Sequence, residues 1–170
     1  MPTRNDSEQA DILVAVKARL QDQISELGEL NCFVSILPDG DPYRPADNLF
    51  VTVAPTGGTF EGLGGGGARQ CTENTGVLVT IFSRFRAQRQ ERDEDALADE
   101  VRGILRMKRD ILRALAGHDL YVSTDPLQPA APALRAYLAP TESSPPDPTG
   151  DREMVMVSLR FDVSFDWDLT

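Results

Sequence analysis

Histidine is almost missing from this sequence. His118 is the only one in 170 residues, in the turn "AGHDL". Catalysis by a nucleophile needs a base and an orienting partner beside it. Nothing in the sequence pairs His118 with either cysteine, Cys32 or Cys71. The plain reading is a residue just past a helix end, near the helix C-terminal dipole. The two cysteines lack the close spacing of a metal site, and free thiols in a reducing cytoplasm are the expectation. A cationic excess is missing too. The net charge is −10, which opposes sequence-independent duplex binding. No apolar run nears the ~20 residues of a membrane span, and the N-terminus has no signal-peptide core.

Two further motifs fail when their chemistry is tested. The run Gly64 to Gly67 has no Lys-Ser/Thr after it, and no helix is expected to open there, so the amide cradle of a phosphate loop is absent. Asp39-Gly40-Asp41 begins like a calcium loop. Pro42 interrupts it, and Phe50 stands where a bidentate Glu is required. No catalytic residue, cofactor or metal site is therefore expected.

What the sequence does hold is periodicity. Ile12, Leu13, Val16, Leu20, Ile24 and Leu27 recur at three- and four-residue steps, predicting a helix over 7–27. Asp6 and Gln9 form a capping-box pattern at its start, and Gly28 fits its end. Strands are predicted over 31–37, 49–54 and 77–82, and a short one at 119–123. Between the second and third lies glycine-rich chain, 55–76, read as a flexible loop at about 55–70 or a loosely held hairpin arm. A second helix is predicted from about Asp93 to Leu115, with Leu97, Val101, Ile104, Leu105, Ile111, Leu112 and Leu115 on its apolar face. Acids crowd its start and cations its second half, in keeping with the macrodipole. Gly117 can stop it. Residues 125–150, rich in Pro, Ala and Ser, read as a loop. The pattern predicts one α+β domain over 1–170: a mainly antiparallel sheet of about four to five strands, with two helices packed on one face.

The chain closes on "VMVSLRFDVSFDWDL", residues 155–169. Alternation sets Val155, Val157, Leu159, Phe161, Val163, Phe165 and Trp167 on one face, and Asp162, Asp166 and Asp168 on the other. A strand of about thirteen residues spans about 43 Å, against a domain diameter near 40 Å. It must bulge, bend or project. A projecting end at Val163, Phe165 and Trp167 would seek another subunit. Asp162 and Asp166 stand roughly 13 Å apart, too far for paired glycosidase acids, and read as an acidic surface with Asp168. Arg84, Arg86, Arg89 and Arg92 form a basic cluster. Residues 84–113 carry nine Lys/Arg against seven Asp/Glu, so this segment is about +2 and the rest about −12. It reads as a salt-bridged surface, or as a patch that meets an acidic patch on a neighbouring copy.

The stretches "ILVAVKARL", "VLVTIFSR", "GILRMKRDILRALAGHDL" and "LRFDVSFDWDL" resemble the tail terminator (tail completion) proteins of long-tailed bacteriophages. The resemblance spans most of the chain. It implies a small non-enzymatic α+β protein of the virion, assembled in the host cytoplasm. It implies a ring, usually of six copies, that caps the head-proximal end of the tail tube, ends its polymerisation and presents a surface to the neck. Implied partners are further copies, the tail tube protein and a neck or connector protein. DNA would pass through the ring without specific binding, and no membrane is implied. The acidic surface at Asp162, Asp166 and Asp168 would then suit a lumen that repels phosphates. Other readings are a head–tail connector or stopper, a monomeric binding domain, and a small enzyme using His118 and a cysteine.

Overall fold

In the computed structural model the described residues are 8–35, 49–62, 70–84, 103–117, 119–122, 134–148 and 154–168. They form helix α1 (Glu8–Gln23), strands β1 (Cys32–Val34), β2 (Leu49–Gly62) and β3 (Gln70–Arg84), helix α2 (Ile104–Leu115), and strands β4 (Asp119–Val122), β5 (Leu134–Ser143), β6 (Asp147–Pro148) and β7 (Met154–Asp168). The fold is α+β. The strands make one sheet in the order β1-β2-β3-β7-β5-β4, with β6 also on β7. β1 runs parallel to β2, and every other pairing is antiparallel.

Period-two alternation fixes the inner face of the sheet. Val51 and Val53 of β2, Val77, Val79 and Ile81 of β3, and Val155, Val157, Leu159, Phe161 and Val163 of β7 are all buried in one cluster. Both helices pack there. α1 contributes Ile12, Val16 and Leu20, which stack four residues apart on one helix face. α2 contributes Ile104, Met107, Ile111, Ala114 and Leu115. Leu105, expected on that face, is 45% exposed, and Met107 and Ala114 fill the stripe instead.

The opposite face grades from apolar to polar along the strands. Phe50, Phe82 and Met154 are buried there with Phe33 and Met156 against them. The Phe50 and Phe82 rings stack at 4.5 Å. In the next row Thr52 pairs with Thr80 and Thr80 with Ser158, and the Thr80 and Ser158 hydroxyls lie 3.1 Å apart.

Several boundaries differ from the sequence-based expectation. α1 ends at Gln23, not near Leu27. Ile24 and Leu27 still enter the core from a turn that Asn31 builds. The Gly28 amide donates to Asn31 Oδ1 at 2.7 Å, and Asn31 Nδ2 donates to the Glu26 carbonyl at 2.8 Å. Gly117 does turn the chain after α2, with φ +74°. The stretch 125–150 is not simply a loop: it contains β5 and β6, both paired to β7. Of the glycine-rich stretch, 55–62 and 70–76 lie in strands, so the hairpin-arm reading holds for them. Asp6, the expected cap, and residues 93–102 lie outside the described residues.

Candidate functional site

Thr75 and Val163 mark the outermost described level of the core at one end of the sheet. Gln9, in the first turn of α1, donates through Nε2 to Thr75 Oγ1 at 2.8 Å and to the Thr56 carbonyl at 3.4 Å. Beyond this level β2, β3 and β7 continue together as a three-stranded arm. Its rows are Thr59–Asn74–Ser164, Phe60–Glu73–Phe165, Glu61–Thr72–Asp166 and Gly62–Cys71–Trp167. β3 and β7 stay in register over all of Gln70–Arg84, with no shift between them. The last pairing of β7 with β5 on this side is Tyr137 with Ser164. Among the described residues, positions 165–168 therefore have a ladder partner on one side only. Among the described residues the outer side of β2 is paired with β1 at 51–53 alone.

The base of the arm is tightly specified. Thr56 pairs with Gly76, and Gly76 with Asp162. A Cβ on Gly76 would stand 2.0 Å from Thr56 Oγ1, so a larger residue there requires Thr56 to give way. The register of β2 slips directly after it, between Thr56 and Thr59. Such a bulge bends a strand and raises its twist.

The residues singled out in the sequence fall in three places. Val163 is fully buried in the chain's own core, paired with Leu138 and Thr75. It offers no surface to a partner, which corrects its assignment to a subunit interface. The length of the alternating run hid this: the core continues one strand position past Phe161. Phe165 and Trp167 do lie in the arm. Asp162 is exposed, 3.5 Å from Arg160, and accepts from the Thr141 hydroxyl at 3.4 Å. Asp166 and Asp168 follow it in register with Thr72 and Gln70. Arg84 closes β3 opposite Met154 and is half-buried. Arg86, Arg89, Arg92 and His118 lie outside the described residues.

Cys32 cannot serve as a nucleophile in this fold. It is fully buried, and burial pushes its thiol up to about 12, so the reactive thiolate is suppressed. Among the described residues no group of three His, Cys, Asp or Glu could hold a metal ion. No helix among them is long and apolar enough to cross a membrane.

A second surface lies within the basic segment 84–113. Arg106, Arg109 and Arg113 recur along α2 around a single carboxylate, Asp110, at 3.5, 3.8 and 3.9 Å. Arg106 also reaches Glu26 at 3.0 Å. Glu26 is held below its ordinary pKa by its own backbone amide and the Ser25 hydroxyl, with Arg106 assisting. Ser25, Glu26, Arg106, Asp110 and Arg113 line a polar cleft of about 300 Å³ between α2 and the turn after α1. The arginine spacing was readable in the sequence. Glu26 was not, because it is brought in from 80 residues away.

No protein-family model matches the chain, and no curated protein does. A solved structure does match. One chain described as "Virion of native gene transfer agent (GTA) particle" aligns over 97% of this chain and 100% of its own length, with a TM-score of 0.58 and 12% identity. At that identity the likeness is one of fold.

Proposed function

We propose that this protein is a structural component of a phage-like virion. In this reading it closes into a ring, of about six copies, at the head-proximal end of the tail tube. The ring ends tube polymerisation and presents the surface that joins the tail to the neck. The observation that carries the reading is the end-to-end match of fold with a chain of a gene transfer agent virion. The sequence resemblance to tail terminators points the same way, and the arm gives it a physical basis. A strand end paired on one side only has open backbone groups, which folded proteins cover or pair. The proposed partners are further copies, the tube protein and a neck protein.

Acidic positions along β7 fit a passage through which DNA slides without sticking, because like charge repels phosphate. Phe165 and Trp167 in the arm are the proposed contacts with a neighbouring copy or the tube. The burial of Cys32 gives the enzyme alternative no thiol to use there.

Electron microscopy of particles lacking this protein tests the reading. Tails of uncontrolled length, or finished tails that do not join heads, are expected. Tailless heads that leak DNA would favour a neck stopper instead. Normal, infectious-looking particles would overturn a virion role altogether.

A further inference from the structure

The arginine face of α2 and the carboxylates of the β5–β6 segment lie on opposite sides of the sheet. α2 carries four cations, Arg106, Lys108, Arg109 and Arg113, against one acid, Asp110, a balance of +3 in a chain of −10. Arg109 and Arg113 are 60% and 71% exposed and stand 3.8 and 3.9 Å from a carboxylate they share. Contacts that long leave most of their donors to water. On the other side, Glu142 pairs in register with Arg160, and Asp147 with Met156. Both registers belong to the face away from the helices, and both acids are exposed. Neither is bonded to a cation among the described residues.

We infer that Arg109 and Arg113 receive Glu142 and Asp147 of a second copy of this chain. The sheet separates the two patches, so no chain can join its own. Two complementary patches on opposite sides of one molecule make a heterologous, head-to-tail contact. That kind of contact closes into a ring when the rotation between copies allows it. The open cleft beside Arg113 gives the incoming carboxylates room. Nucleic acid is the poorer occupant. Glu26 and Asp110 stand inside the patch, and the chain as a whole repels phosphate. The inference rests on the self-assembly reading above and assigns one of its surfaces.

Sedimentation of the full chain at raised concentration, in low and high salt, tests it. Wild type should associate, and less so in high salt. Arg109→Glu with Arg113→Glu should weaken association about tenfold, the range that the loss of two exposed charge pairs reaches. Glu142→Lys with Asp147→Lys should do the same. The four changes combined should restore association, because the charges are exchanged rather than removed. Far-UV circular dichroism checks that each variant is folded; all four positions are exposed, and the fold is expected to survive. Wild type that associates while either double variant associates equally well overturns the inference and leaves the ring reading standing. Loss in both double variants without recovery in the combined one overturns the pairing likewise. Loss of heparin or DNA retention in the arginine variant with unchanged self-association assigns the patch to polyanions and overturns it. Wild type that stays monomeric overturns both readings.

Discussion

At the scale of single residues, the clearest constraint is a missing side chain. Gly76 faces Thr56 so closely that a Cβ there would stand 2.0 Å from Oγ1. Gly76→Ala should therefore destabilise the monomer by about 1–3 kcal/mol, the usual range for overpacking, read as a lower urea midpoint. Thr56→Ala removes the clashing oxygen and leaves only its Cβ, 3.2 Å away. The double variant should sit close to Thr56→Ala alone. If the two costs instead add, the clash is not the cause. The sequence held no warning of this. Gly76 is one of thirteen glycines, and only the pairing of β2 with β3 tells it apart from its neighbours. Val163 teaches the converse. Alternation put it correctly on the apolar face, but alternation does not say where a core stops.

At the scale of elements, α1, α2, β3 and β7 were readable because their apolar positions follow a helical or strand period within one segment. β5 was not. Its sequence "LRAYLAPTES" contains a proline, two alanines and a polar tail, which reads as loop. What makes it a strand is the long partner β7, and a register slip between Pro140 and Glu142 accommodates the proline. The glycine-rich arm was half-readable for the same reason: composition announces pliancy, whereas the ladder from β3 and β7 supplies the order. The arm also sharpens a truncation experiment. Removing residues 165–170 takes positions 165–168, which among the described residues are paired on one side only, and leaves Val163 in place. Such a chain should unfold at nearly the wild-type urea midpoint, while its association is lost. Cutting two residues earlier removes fully buried Val163 and costs about 1.5–3 kcal/mol more, which would confuse folding with assembly. A 165–170 deletion that still associates like wild type would rule out the arm as the contact.

At the scale of the whole molecule, charge and topology were legible to different degrees. The separation into an acidic chain with a basic stretch near 84–113 could be counted. Which cations face outward could not: Arg84 is half-buried, whereas Arg109 and Arg113 are out in solvent. The layout of the sheet could not be counted either, and it carries a consequence in time rather than space. β7 follows every other strand in the chain, yet it sits in the middle of the sheet, between β3 and β5. Its ladder with β3 joins Gln70 to Asp168 and Arg84 to Met154. Until β7 is in place, β1-β2-β3 and β5-β4 have no backbone bond between them in this order. A growing chain must therefore hold two half-sheets, each with an exposed apolar face, and close them in one late step. Folding dominated by such distant pairings is slow, and refolding should fall at the millisecond-to-second end of single-domain rates. A chain ending before residue 154 should show no cooperative unfolding, and adding a peptide of residues 154–168 should restore it. The same delay leaves a hazard: until the last strand has been laid between them, the edges of β3 and β5 stand open to pairing with another chain.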